Sequence, residues 1–144
     1  MKGLTRFLLL LALLSSSSNV VSAQDERTIF FPRYTEYVES MPPADRVWLF
    51  VLAGQSNMAG RGLVEPSDTV PHPRVFSVSP DKMWVVAKEP LQQYQPALTG
   101  LGPGMAFARA LIGEIDEDIC IGLIPCAVGG SSTTDWLSDS LYNG

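Results

Sequence analysis

A serine follows directly on an apolar run that has the composition of a buried strand. Ser56 lies in residues 54–60 (Gly-Gln-Ser-Asn-Met-Ala-Gly), immediately after the run of residues 46–53. A serine on the turn leaving the carboxyl end of a parallel strand lies where open α/β sheets bind ligands, and the turn's N–H groups can face an oxyanion. This position suits a nucleophile, and Gln55 and Asn57 place side-chain donors beside it. The alternative is that Ser56 caps a helix and the amides are ordinary turn residues.

A second turn of small residues ends the other apolar run of the chain. Residues 119–128 are almost entirely apolar, and Gly129 and Gly130 follow them. Strands that flank the switch point of a doubly wound sheet share one crevice at their carboxyl ends, so we expect these glycines to place backbone donors opposite Ser56. Taken alone, Gly-Gly-Ser-Ser is a weak signal that is more typical of an ordinary strand-to-helix connection, and no Lys completes a phosphate-binding loop.

Two strands and a helix must position these turns. Residues 46–53 predict a strand buried on both faces of a parallel sheet, and residues 119–128 predict a second strand. Between them, apolar side chains spaced three and four apart predict an amphipathic helix from Met105 to Ile115. We expect the second strand to lie at an open, apolar edge of the sheet.

Weaker patterns complete the order of elements. Residues 74–78 and 83–86 predict short strands around a Ser-Pro-Asp turn. The spacing of Ser132 and Asp135 is that of a capping box and predicts a helix beginning near Thr133. The resulting strand-helix-strand-helix order favours an α/β fold with a parallel sheet and helices on its faces.

Charge and composition exclude several partners. The chain carries 10 Lys and Arg against 15 Asp and Glu, a formal charge of −5, so no basic patch favours nucleic acid. One histidine and no Cys-x-x-Cys pair argue against a metal site, and we expect no cofactor. Cys120 and Cys126 would lie about 20 Å apart along one strand, beyond the roughly 7 Å that a disulfide spans, so we expect buried free thiols.

The N-terminal residues have the pattern of a secretion signal. Lys2 and Arg6 precede the apolar residues 7–14, and the small Ala23 fits a signal-peptidase site, so residues 1–23 are expected to be a cleaved signal peptide. The apolar run is far short of the roughly 20 residues of a membrane-spanning helix. We therefore expect a secreted or periplasmic protein, with a polar lead-in over residues 24–45.

Four blocks of the sequence resemble, in order, the sialate O-acetylesterase and carbohydrate esterase family six group of SGNH hydrolases. They are residues 54–60, 84–91, 102–108 and 121–131, the last followed by Trp136. The resemblance implies that residues 46–144 are the N-terminal portion of a flavodoxin-like, three-layer α/β/α sandwich with a parallel sheet. It also implies removal of acetyl groups from carbohydrates such as acetylated xylan or sialic acids.

The same resemblance implies roles for individual residues. Ser56 takes the position of the nucleophile, and Gln55, Asn57, Gly129 and Gly130 line the oxyanion region. Members of the group carry the catalytic histidine in an Asp-x-x-His block, which this chain does not contain. We therefore expect a domain that is incomplete at its C-terminus, with its base and acid beyond Gly144 and little activity alone.

Several alternatives remain open at this point. One alternative is that His72, the one histidine of the sequence, replaces the missing base, although its position between two prolines favours a surface loop. Trp84 and Trp136 suit sugar stacking but are more typical of core residues. The rival functions are a noncatalytic or vestigial carbohydrate-binding domain and, less favoured, a phosphate- or flavin-binding module.

Overall fold

Four strands form one mixed β-sheet in the part of the chain that the structure describes. The computed structural model describes residues 28–137. Its strands are, in chain order, β1 (Val47–Leu52), β2 (Val75–Val78), β3 (Trp84–Val86) and β4 (Cys120–Pro125). Their order in the sheet is β1-β4-β2-β3, with β1, β4 and β2 parallel and β3 antiparallel to β2. The predicted α/β fold is confirmed, and the sheet is mixed because β3 returns beside β2 through a short turn.

Strand β4 lies in the middle of the described sheet. It pairs with β1 from Val47 opposite Cys120 to Leu52 opposite Pro125, and with β2 through Val75 opposite Ile121. The expectation that this strand forms an open edge is therefore wrong, and within residues 28–137 the outer strands of the sheet are β1 and β3. The last strand in the chain was expected at an edge of the sheet. The connection after β3 instead places β4 between β1 and β2.

The predicted amphipathic helix is confirmed as α2 (Gly104–Ile112), and a single turn of helix, α1 (Ser56–Ala59), follows β1. Helix α2 packs on one face of the sheet. The buried core comprises Leu52, Val75, Ala87, Leu91, Met105, Ala108, Ile112, Ile121 and Leu123. Burying each large aliphatic side chain contributes about 1.5–3 kcal/mol, so this interface is the main source of stability.

Arg74 fastens the end of α2 to the start of β4. Its guanidinium donates to the carbonyl oxygens of Ile112 at 3.0 Å, Asp116 at 2.8 Å and Ile119 at 3.0 Å. The last carbonyls of a helix have no partner within the helix and carry its negative dipole end, which a cation compensates. Arg74 therefore links the C-terminal end of α2 to the residues that lead into β4.

The face of the sheet opposite α2 is partly exposed. Leu49 is 56% exposed and Val51 is 62% exposed, while Trp84 and Leu49 pack over Gly122. The prediction that the first strand is buried on both faces is therefore wrong for the described residues. Alternate side chains of a strand point to opposite faces, and α2 covers one of them.

Residues 36–38, in the second half of the lead-in, add to the sheet. Tyr37 forms an antiparallel bridge with Val85, and the carbonyl of Glu36 accepts the N–H of Val86 at 2.9 Å. The Glu36 carboxylate also pairs with Lys88 at 3.0 Å. Residues 36–38 thus cover the outer edge of β3.

Within the described part of the chain, three short 3-10 helices lie in the connections: Ala44–Arg46, Pro66–Thr69 and Thr133–Trp136. The last begins with the predicted capping box, in which the Ser132 amide donates to the Asp135 carboxylate at 2.6 Å. The proposed signal peptide, residues 1–23, lies outside the described residues. Among residues 28–137, no helix has the length and apolar character needed to cross a membrane.

Both cysteines are free thiols. Cys120 is buried at the start of β4, as expected, but Cys126 is exposed beyond its end. The expectation of two buried thiols is therefore wrong for Cys126, because the chain leaves the core where β4 ends.

Candidate active site

Ser56 is the first residue of α1, directly after β1 and its connecting turn. Gln55, and not Ser56, occupies the N-cap position, and no side chain caps the helix. The Ser56 hydroxyl instead lies 3.4 Å from Oε1 of Gln55. The interpretation of Ser56 as a helix cap is therefore wrong, and its hydroxyl is not occupied in holding the backbone.

The two predicted turns meet because the pairing of β1 with β4 continues past both strands. The Cys126 amide donates to the Leu52 carbonyl at 3.1 Å, and the Val128 amide donates to the Gly54 carbonyl at 2.9 Å. The residues that follow Val128 are Gly129 and Gly130. The turn that carries Ser56 and the glycine turn are thus side by side at the carboxyl edge of the sheet, as the sequence predicted.

The predicted site residues are all on these two turns. Gln55 and Asn57 flank the serine and are both exposed, with Gln55 directed at the serine hydroxyl. The glycine turn is closed by Ser131, whose hydroxyl donates to the Val128 carbonyl at 2.8 Å. The arrangement places a hydroxyl, two amide side chains and a tight backbone turn at one edge, which suits attack on a carbonyl group.

Sequence reasoning missed an arginine at this edge. Arg61 donates to the Gly60 carbonyl at 2.8 Å and to Oε1 of Gln95 at 3.1 Å. A methyl group at Gly129 would lie 2.7 Å from the same Gln95 oxygen and would overlap the guanidinium. Arg61 follows the serine motif by one residue, which is the signal that could have identified it, whereas no pattern marks Gln95.

Glu89 is the second residue that the sequence did not single out. Its side chain is 1% exposed, and its oxygens accept the N–H groups of Leu91 at 3.1 Å and Met105 at 3.4 Å. Burial raises the pKa of the Glu89 carboxyl to about 7, although backbone donors, including Gly102, oppose this change. Its position in the 84–91 block is the signal that could have identified it.

His72 lies far from Ser56 along the strands. It precedes β2, and its carbonyl accepts the Val75 amide at 3.0 Å, so it belongs to the amino edge of the sheet. Burial, with the charges of Arg74 and Arg109, lowers the pKa of His72. The interpretation of His72 as the base for Ser56 is therefore wrong, because Ser56 follows the opposite, carboxyl end of a parallel strand.

The two tryptophans have different environments. Trp84 is half-buried on the sheet, where its ring packs over Gly122, and it is not a member of the buried core. Trp136 is 44% exposed, and its indole N–H donates to the Ser131 hydroxyl at 3.0 Å. The core expectation is wrong for Trp136, which is held beside the glycine turn with part of its surface in solvent.

Comparison with known proteins identifies the family of this chain. Residues 46–144 match the family model described as carbohydrate esterase, sialic acid-specific acetylesterase. The chain belongs to this family. The match covers both turns of the candidate site and the elements that position them.

One relative of this chain is a probable carbohydrate esterase of Arabidopsis thaliana. It is 35% identical over 116 residues, covering 69% of this chain and 44% of the Arabidopsis protein. The crystal structure of that protein superposes with a TM-score of 0.58 over 69% of this chain and 46% of the other. A crystal structure of NanS matches at 24% identity and a TM-score of 0.46, over 63% of this chain and 38% of that one. The chain spans less than half the length of these relatives.

Proposed function

We propose that this chain is part of an exported carbohydrate O-acetylesterase that uses Ser56 as its nucleophile. The observation that carries the proposal is the 2.9 Å hydrogen bond from Val128 to Gly54, which holds the serine turn against the glycine turn. Membership of a carbohydrate esterase family supports ester hydrolysis at this edge. The substrates are acetylated carbohydrates of the sialate or acetylxylan type.

The reaction follows from the groups on the two turns. The Ser56 oxygen attacks the acetyl carbonyl, and the negative charge passes to the carbonyl oxygen, facing the N–H of Ser56 and of the Gly129–Gly130 turn. Collapse of this intermediate breaks the ester bond, and the sugar oxygen leaves with a proton. Water then attacks the acetyl-serine and releases acetate, restoring the hydroxyl.

A base must take the proton from Ser56, because a neutral hydroxyl is a weak nucleophile. His72, at the other edge of the sheet, is not suitable. The proposal assigns this role to a histidine of the Asp-x-x-His type that the family resemblance implies and that lies outside this chain. The chain alone is then expected to retain only weak reactivity from its oxyanion region.

The environment of Trp136 supports a carbohydrate substrate. Its exposed ring is fixed by the bond to Ser131, one residue beyond Gly130. A rigid, exposed aromatic ring beside a polar turn offers a surface on which a sugar ring can stack while its ester group reaches the serine. Residues 1–23 would direct the protein out of the cytoplasm. Substrates of this type are found outside it.

A comparison of Ser56→Ala with Ser67→Ala tests the proposal. Ser67 is an exposed serine in a 3-10 helix, so its removal is a matched control. Both variants are made in the 144-residue chain and in the longest product of its coding region. The measurements are labelling by a fluorophosphonate and release of p-nitrophenol from p-nitrophenyl acetate.

The proposal predicts labelling and hydrolysis that Ser56→Ala abolishes and Ser67→Ala preserves, both strongest in the longest product. Binding of acetylated xylo-oligosaccharides without labelling or hydrolysis in either product would instead establish a noncatalytic carbohydrate-binding domain. The absence of a suitable base among residues 28–137 is the observation that favours this second candidate.

A further inference from the structure

A buried carboxylate holds three segments of backbone together beside the candidate site. Glu89 accepts the N–H of Leu91, of Met105 in the first turn of α2, and of Gly102. No ion pair within residues 28–137 includes Glu89. Backbone donors are therefore what compensates its buried oxygens, and a carboxylate that accepts several N–H groups fixes their positions.

The backbone that Glu89 holds is packed against the end of α1. Gly60 has φ +84°, and a methyl group there would lie 2.8 Å from the nitrogen of Gly102. Next to this contact, Gly62 and Leu101 exchange two backbone hydrogen bonds of 3.1 and 2.9 Å. The amide of Gly60 in turn donates to the carbonyl of Ser56 at 3.0 Å. A continuous set of contacts thus runs from the Glu89 carboxylate to the serine.

We propose that Glu89 is a positioning residue that fixes Ser56 by holding the Gly102 backbone against the end of α1. The inference rests on the proposed function for the role of Ser56 itself. The ionised carboxylate offers both oxygens as acceptors, whereas the neutral acid turns one of them into an O–H donor directed at the N–H groups. The hydrogen bonds that hold the Gly102 backbone are therefore strongest when Glu89 is ionised, even though ionising a buried carboxyl lowers the stability of the fold as a whole.

The charged groups near Glu89 are engaged elsewhere or oppose its ionisation. Asp68 accepts the Glu89 amide through its carbonyl at 3.4 Å, and its negative charge opposes ionisation of Glu89. Lys88 is directed to Glu36, and Arg61 to Gly60 and Gln95. The first turn of α2 carries no acidic residue, and its basic residue, Arg109, is in the last turn.

Hydrogen exchange of the full 144-residue chain tests the proposal through Glu89→Gln. The substitution keeps the shape of the side chain but places an NH2 group against backbone donors. We expect protection to fall about tenfold or more at Leu91, Gly102 and Met105, and also at Gly60 and Gly62. Glu114→Gln, at an exposed carboxylate just after α2, is the matched control and should change neither group. A loss confined to the direct donors, or no loss, would overturn the proposal.

A pH titration of the unmodified chain tests the proposal without relying on the folding of Glu89→Gln. The Glu89 carboxyl carbon and the amides of Gly60, Gly62 and Gly102 are followed by NMR from pH 5 to 9. We expect all four signals to share one inflection. Amides of Gly60 and Gly62 that do not respond when Glu89 titrates would contradict the coupling.

Fluorophosphonate labelling of Ser56 separates the two proposals. In the longest product of the coding region, Glu89→Gln is expected to slow labelling at pH 8 by about tenfold and to remove the part of its pH dependence that follows Glu89. If the unmodified protein is not labelled at all, the esterase proposal fails, while exchange and titration still decide the role of Glu89. If labelling occurs but is unchanged by Glu89→Gln, the positioning role fails and the esterase proposal stands.

Discussion

The amide of Val128 donates a hydrogen bond to the carbonyl oxygen of Gly54 at 2.9 Å, beyond the last residue of either strand. The ladder between β1 and β4 therefore continues into the two turns that carry the candidate site. Backbone hydrogen bonds of this kind need no particular side chain, so the relative placement of Ser56 and Gly129 is set by the register of the sheet. Substitutions within either turn should consequently alter the site while leaving the fold intact.

Gly129→Ala should impair the site with little effect on folding. The added methyl group would overlap the Arg61 guanidinium and lie 2.7 Å from the Gln95 oxygen, so the contact between these side chains must shift. We expect labelling of Ser56 to fall about tenfold and the free energy of unfolding to fall by about 1 kcal/mol. Gly113→Ala is the control, because a methyl group there meets its nearest atom at 3.6 Å. Equal labelling in both variants would contradict this role of the glycine turn.

Glu89 should make the stability of the chain depend on pH. Its pKa is raised from 4.5 to about 7 in the folded state, so between these values the folded chain holds a proton that the unfolded chain has lost. The contribution is present below pH 4.5 and is lost as pH rises to about 7, by an amount on the order of 3 kcal/mol at 1.4 kcal/mol per pH unit. Urea unfolding at pH 5, 6, 7 and 8 measures it.

The Glu89→Gln variant identifies the source of this dependence. His72 acts in the opposite direction, because its lowered pKa costs stability as pH falls below 6.5. The difference between the unmodified chain and Glu89→Gln removes the histidine contribution, which both share. We expect this difference to change steadily between pH 5 and 7 and to level off above it. A difference that is constant with pH would contradict the assignment.

Arg74→Ala should destabilise the end of α2. The substitution leaves the carbonyls of Ile112, Asp116 and Ile119 without their shared donor, at an expected cost of about 2 kcal/mol. Chemical denaturation measures the cost, with Arg33→Ala at an exposed lead-in position as the control, expected to change stability by about 0.5 kcal/mol or less. Similar losses in both variants would show that the guanidinium does not hold these carbonyls.

Leu123→Ala should produce the largest loss among single core substitutions in β4. Leu123 is fully buried beneath α2, and its removal leaves a cavity at an expected cost of about 2–5 kcal/mol. Leu63→Ala, at a position 63% exposed, is the matched control and should cost well under 1 kcal/mol. Thermal unfolding that does not distinguish the two would contradict the placement of the core.

The elements that local pattern controls were predictable. The apolar runs correctly predicted β1 and β4, and the spacing of apolar residues three and four apart correctly predicted α2. The approach of the two turns followed from the geometry of parallel strands. The capping box of Ser132 and Asp135 was likewise a local signal. In each case the deciding interaction joins residues close in sequence or follows from a general rule of sheets.

The features that escaped prediction depend on contacts between distant residues. Glu89 stands between Lys88 and Pro90, a context typical of a solvated loop, yet it is buried by α2 and the residues before it. The place of β4 within the sheet depends on which strands pair, and spacing alone does not fix that. Gln95 contacts Arg61 from 34 residues away, in a segment without any repeating pattern.

The pairing of Tyr37 with Val85 leaves the two edges of the described sheet unequal in their capacity to pair with another strand. The lead-in already occupies the backbone groups along the outer edge of β3, while within residues 28–137 the outer edge of β1 has no such cover. An additional strand, from whatever polypeptide, would meet an occupied edge on one side and a template on the other. Any extension of this sheet should therefore begin at β1, next to the strand that leads into Ser56.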